Sequence, residues 1–215
     1  LPGAQAGTNG NLVTIEGREY ASNTDVPETR SMSATPGFLE TLEIPLVQGR
    51  RLTSADEAGT LPVAVVNERF VRQLLPEGDP IGQRIRLGGI DSEQPYLTIV
   101  GVVPDIFAGN PDDPRPPLVI RPFAQARSNF AYVAARTNAA PMALAQPVRE
   151  AVASLNPDLP MYWVQTLDDA IIGQLWVVRI FGSMFAFFGV VALFLASVGL
   201  YAVMSFSVSR RTREM

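Results

Sequence analysis

Two adjacent carboxylate pairs, Asp112 with Asp113 and Asp168 with Asp169, invite an acid–base reading of this sequence. A general acid and a general base must face the same reacting bond. Neighbours in a helix point to different sides, so Asp168 and Asp169 read instead as negative charge at a helix N-terminus, where the macrodipole favours it. Asp112 and Asp113 stand among Pro111, Pro114, Pro116 and Pro117 and read as solvated loop residues. Other chemistry lacks its side chains, because the sequence has no Cys and no His. A Cys nucleophile, a Ser–His triad, a CxxC redox pair and the usual zinc sites all need them. Gly78 and the Gly88–Gly89 pair match no phosphate-loop spacing. No catalytic residue, cofactor site or metal site is therefore expected.

What the chain does carry is an apolar run from Ile180 to Ser209 without a charge, followed by Arg210, Arg211 and Arg213. About 20 helical residues rising ~1.5 Å each cross a hydrocarbon core about 30 Å thick, so this run can span and still protrude. The three arginines outweigh Arg179 at the other end, which by the positive-inside rule puts the C-terminal side in the cytoplasm. Gly182, Ala186, Gly189, Ala192, Ala196 and Gly199 recur along the run. At about 100° per residue they fall within roughly 140° of arc, a strip of small residues that lets another helix approach closely in lipid. The abundance of Gly and Ala in membrane helices generally would give part of the same pattern.

The segment before this run must hold a folded domain, and its charge says something about its partners. Residues 1–178 hold 13 Arg against 20 Asp plus Glu, a net of −7, and the remainder carries +3. An acidic domain without a basic stripe argues against nucleic acid. All basic residues are Arg and none is Lys, which reads as coding bias. The chain opens at Leu1 without a signal-peptide pattern and stops at Met215 soon after the arginines, so it reads as a piece of a longer one.

Strands are expected at 11–20, 29–34, 46–50, 63–66, 81–87, 96–103, 118–121, 130–136 and 161–165, from β-branched runs bounded by Gly and Pro. Short helices fit between them. One starts at Pro36 with Thr35 as its cap, and another starts after Asn67 with Phe70, Val71, Leu74 and Leu75 on one side. A third starts at Pro141 and aligns Leu144, Val148, Val152 and Leu155 before Asn156–Pro157 stops it. Trp163 reads as a core residue. The stretches 29–50 and 130–165 share a strand–helix–strand layout, which reads as a weak internal repeat around an inserted middle section.

These segments together resemble the FtsX-like and macrolide-exporter (MacB)-type permeases of bacterial ABC transporters. The resemblance is carried by TPGFLETL and QGR–L between Thr35 and Leu52, and by VAVVNE–F–L–P from Val63 to Pro76. DPIGQRIRLG from Asp79 to Gly88, IVGVV–D from Ile99 to Asp105 and NPDLP from Asn156 to Pro160 extend it. SRRTREM at the end is similar to the start of the family's cytoplasmic segment. The resemblance implies an α+β, two-lobed periplasmic domain of mixed strands and helices over residues 1–166, followed by one long transmembrane helix. Its lobes would be about 1–59 with 126–166, and an inserted 60–125. Residues 167–179 would form a stalk helix, 180–207 the membrane span and 208–215 the start of the cytoplasmic segment.

By the same resemblance the chain is a permease fragment in the bacterial inner membrane, with no catalytic residue of its own. Its expected partners are a cytoplasmic ABC ATPase that hydrolyses ATP, a second permease copy and a periplasmic partner protein. Two readings from other classes stand beside it. A single-pass sensor or regulatory scaffold with a ligand- or protein-binding exterior domain would use the small-residue strip to dimerise. An anchored hydrolase would need a carboxylate pair that the sequence does not supply.

Overall fold

A computed structural model of the chain describes residues 9–106, 108, 113, 115–126, 131–166, 168–169 and 176–211. The chain divides into two compact units, Leu1–Ile171 and Ile172–Met215. Strands β1 (Asn9–Ile15), β2 (Glu28–Ala34), β3 (Gln48–Gly49), β4 (Val63–Asn67), β5 (Arg84–Leu87), β6 (Leu97–Val103) and β7 (Leu118–Pro122) build the first unit's sheet. Helices α1 (Phe38–Thr41) and α2 (Glu68–Leu74) lie between its strands. A 3-10 turn (Pro141–Leu144) then leads into α3 (Ala145–Leu155). The second unit is the helix α4 (Trp176–Arg211).

The seven strands form one sheet in the order β3-β6-β4-β7-β2-β1-β5, and β5 also bonds to β6, so the pairings run in a circuit. Strand β4 sits centrally, parallel to β6 and antiparallel to β7, and all five of its residues are buried. Alternate residues of a strand point to opposite faces, and here both faces are apolar. Ala64, Val66 and Val119 join Val13, Ile85, Ile99 and Phe70 in one core. Val63, Val65, Leu118 and Ile120 join Leu39, Leu52 and Val103 in another. Strand β6 changes face part-way. Ile99 pairs with Ala64 but Gly101 pairs with Val65, leaving Val100 as an extra residue. That bulge explains why Ile99 and Val102, three apart, lie in the same core.

The mixed α+β architecture and the long apolar helix after it agree with the sequence reading, but several boundaries move. Strand β1 ends at Ile15 because Gly17 turns the chain at φ 81°, and β5 begins only at Arg84 because Gly82 does so at φ 87°. Thr35 does not cap α1; its carbonyl closes a turn onto the Phe38 amide at 3.1 Å, and Gly37 is the cap residue. The sheet is continuous across the lobe boundary expected near residue 59, since β1 pairs with β5 and β2 pairs with β7.

Of the strands expected at 130–136 and 161–165, residues 131–136 and 161–165 form none, and Phe130 lies outside the described residues. Extended chain needs a neighbour to take its amides and carbonyls, and apolar composition alone does not provide one. Val133 and Tyr162 are exposed, and Trp163, expected in the core, is 72% exposed with a left-handed φ of 51°. The second half of the supposed repeat therefore keeps only its helix. Leu144 of the 3-10 turn and Val148 and Val152 of α3 are half-buried, while Leu155 is exposed.

Candidate functional site

The residues that carried the family resemblance are mostly joints of the scaffold. In the QGR segment, the Gln48 side chain donates to Asp79 at 2.9 Å, tying β3 to the start of DPIGQRIRLG. Asp79 also accepts from the Ile81 amide at 2.9 Å. Arg84 and Arg86 lie over the Tyr96 ring at 4.8 and 5.1 Å, and Arg84 pairs with Glu16 at 2.6 Å. Asp105, which follows IVGVV, accepts from the Arg69 amide in the first turn of α2 and from the Arg72 guanidinium. The sequence named these positions by order and spacing; the structure gives them fastening roles.

The carboxylates follow the same pattern. Thr166 accepts from the Asp169 amide at 3.1 Å and donates to the Asp169 carboxylate at 2.7 Å, as expected of a helix start. Asp113 is not simply solvated, because it pairs with Arg69 at 2.7 Å; Asp112 lies outside the described residues. Among the described residues no group of three or more acidic side chains could hold a metal ion.

Asp56 is the most strongly held acid, only 7% exposed at its side chain. Its two oxygens take both Arg50 Nη atoms at 2.8 Å, and one of them also takes the Thr53 amide and hydroxyl. The Arg50 hydrogen bonds outweigh burial, and with the Thr53 bonds and the Arg50 charge they lower the carboxyl from 3.8 to about 2. The folded state therefore holds fewer protons than the unfolded one. Its contribution is complete above about pH 4 and disappears as the pH falls through about 2. Half of Arg50 is in solvent, so Asp56→Ala should cost only about 1–2 kcal/mol at neutral pH. Urea midpoints of the two proteins should converge when measured near the acid end of that window.

This anchor shapes the loop that runs on to Ala58, Gly59 and Thr60. Those residues form one wall of a cleft of about 190 Å³ whose other walls include Gln94, Pro95, Leu97, Arg121 and Gln125. Arg121 was missed in the sequence, where it is one charge inside the apolar stretch LVIRP of β7. Its Nε is buried without a hydrogen-bond partner.

The second unit presents the small-residue strip. Gly182, Ala186, Gly189, Ala192, Ala196 and Gly199 all lie on α4 and are exposed. A Cβ added at Gly182, Gly189 or Gly199 would meet nothing within 4 Å. Ile180–Leu200 is long and apolar enough to cross a membrane, and none of it is buried within the chain. Ser183 and Ser197 satisfy their hydroxyls on the carbonyls of Ile180 and Leu193, both at 2.8 Å. Within Ile180–Leu200, therefore, no polar side chain is left in want of a partner. Arg210 and Arg211 close the helix, and Arg213 lies outside the described residues.

Residues 5–151 match the family described as the MacB-like periplasmic core domain. The chain belongs to that family. Among solved structures, this MacB-like domain is similar to the periplasmic region of MacB from Actinobacillus actinomycetemcomitans, at 13% identity and a TM-score of 0.48. That alignment covers 69% of this chain and 64% of the MacB chain, so the protein spans less than two thirds of it. A domain of a putative permease protein from Porphyromonas gingivalis aligns at 17% identity and TM-score 0.45, covering 76% of this chain and 81% of that one. The extracellular domain of the noncanonic ABC-type transporter YknZ from Gram-positive bacteria aligns at 16% and 0.45, covering 73% and 78%. No curated protein matches the chain.

Proposed function

We propose that the chain is part of the permease subunit of a bacterial ABC transporter. One observation carries the reading: a MacB-like periplasmic core domain is followed, in the same chain, by a helix of 36 residues. At ~1.5 Å per residue such a helix is about 54 Å long, well beyond a hydrocarbon core about 30 Å thick. The excess is what a lever needs to carry motion between a membrane and a domain outside it. On this reading the domain lies in the periplasm, α4 spans the inner membrane, and the arginines at its end sit in the cytoplasm. A cytoplasmic ATPase hydrolyses the ATP, a second permease copy completes the assembly, and the chain itself catalyses nothing. Its work is to couple hydrolysis to a periplasmic change for export or efflux.

The small-residue strip supplies the test. A Cβ added at Gly189 meets nothing within 4 Å, so Gly189→Leu should leave the chain itself folded. In the full-length permease with its ATPase, Gly189→Leu or Ala192→Leu should block close helix approach and cost about 1–3 kcal/mol of assembly. ATP hydrolysis should continue while transport in reconstituted vesicles falls about tenfold or more, tenfold being ~1.4 kcal/mol. Full transport by both variants would remove the strip from the mechanism. Signalling by the chain in a complex without any ATPase would replace the permease reading with the sensor.

A further inference from the structure

Arg121 is placed where an arginine costs stability unless something answers it. It stands on β7 beside Ser33 of β2, with apolar Ile120 before it and Pro122 after. Its Nε is buried and unbonded, and no hydrogen bond or ion pair fixes the rest of the guanidinium among the described residues. Arg51 and Arg86 also bury an unbonded Nε, but Arg51 pairs with Glu40 and donates to the Ile44 carbonyl, and Arg86 donates to the Ile90 carbonyl. Burial lowers the Arg121 pKa from its ordinary value, with no carboxylate to oppose it. Arg121 is half-buried, and a cation partly taken from water without a partner costs some stability, so replacing it is expected to be neutral or mildly favourable.

The space beside it is built. The cleft of about 190 Å³ contains no Asp or Glu in its lining. Gln125 braces its wall, accepting from the Val63 amide at 3.1 Å and donating to Thr60 at 3.1 Å and to the Leu61 carbonyl at 3.0 Å. Thr60 in turn donates to the Glu57 carbonyl at 2.9 Å. The wall is held by its own bonds, so Arg121 does not hold it. Gln94, an exposed lining residue, has no side-chain hydrogen bond among the described residues, so its carboxamide can donate. Leu97 and Pro95 give the cleft an apolar side.

We propose that this cleft is a binding site for a small carboxylate-bearing ligand, whose carboxylate pairs with Arg121 and whose short apolar body lies against Leu97 and Pro95. A guanidinium presents a planar fork that matches a carboxylate with two parallel hydrogen bonds, which an ammonium cannot do. The volume admits a ligand of a few carbons, and the absence of acid from the lining sets the sign of its charge. The site is independent of the permease reading, because it needs neither a membrane nor an ATPase.

The test uses the whole chain in uncharged detergent micelles, with butyrate as the probe and inorganic phosphate and chloride as comparison anions. Millimolar butyrate should raise the melting temperature, with phosphate weaker and chloride inert. Arg121→Met should abolish that rise, and without ligand should melt no lower than the parent and up to about 2–4 °C higher. Arg121→Lys should bind about tenfold more weakly, because it keeps the charge but loses the fork. Gln94→Ala should weaken binding without changing the unliganded melt. Three results would overturn the proposal: no response to butyrate, an equal response to chloride (an adventitious ion only), or a response that survives Arg121→Met. Unfolding of Arg121→Met would show a structural arginine and would overturn it too.

Discussion

Asn67→Ala is expected to remove about 3–5 kcal/mol from the stability of the exterior domain, enough to leave little of a typical domain's margin. The Asn67 side chain is fully buried where β4 becomes α2. Its Oδ1 accepts from the Phe70 amide at 3.0 Å, which caps the helix, and from the Leu118 amide at 2.9 Å, which starts β7. Its Nδ2 donates to the Pro116 carbonyl at 2.9 Å. Alanine would leave two buried amides and one buried carbonyl without their partners. Asn67→Asp keeps the acceptor but loses the donor and buries a charge, so it should also be destabilised. Urea unfolding followed by far-ultraviolet circular dichroism measures both. A loss under about 1 kcal/mol for alanine would mean that the neighbouring backbone relaxes to heal the gap.

A comparable loss is expected from Gly49→Ala and from Gly101→Ala, each about 2–3 kcal/mol and each centred on the detachment of β3. The two glycines face one another across the β3–β6 pair. A Cβ on Gly101 would stand 2.2 Å from the Arg50 carbonyl oxygen, and one on Gly49 would stand 2.3 Å from that of Val100. Both obstacles are backbone, which cannot swing aside. Gly49 also holds a left-handed φ of 75°, which adds strain for any other residue. The hydrogen bonds that would go are Val47 to Val102 at 2.9 Å and Arg50 to Val100 at 2.8 Å. Gly10→Ala, where the added carbon meets nothing within 4 Å, is the matched control and should be nearly neutral. Amide hydrogen exchange at Val47 and Arg50 that stayed as slow as in the parent would refute the detachment.

Where the sequence could be read, a physical reason made it readable. Strands β4, β6 and β7 are continuous runs of β-branched and aliphatic residues, because both sheet faces are covered. Asn67 was legible as a cap, since a short amide before Phe70, Val71 and Leu74 is how such helices start. Its second bond, to the amide of Leu118, was not, because no local pattern reports a contact 51 residues away. The bulge at Val100 was invisible for a related reason. An unbroken apolar run looks the same whether or not it slips by one residue. Tyr132 and Trp163 misled because β-forming composition was taken for strand where no neighbouring strand arrives. The helix strip was read directly, since periodicity is all it consists of. Arg121 carried no signal beyond being one charge in an apolar stretch, and only burial shows that its charge goes unanswered.

The circuit of strand pairings has a consequence for how other molecules meet this domain. Six of the seven strands bond to at least two others, and β3, the remaining one, is only two residues long. A sheet with a long open margin offers unpaired amides and carbonyls to any extended peptide, and so templates both recruitment and aggregation. Here that template is almost entirely consumed within the fold. Among the described residues, a partner that docks on the domain therefore meets side chains and loop contours, and its specificity can change by substitution without disturbing the ladder beneath. The same closure leaves the described sheet little edge from which fibres could be seeded, provided β3 stays seated.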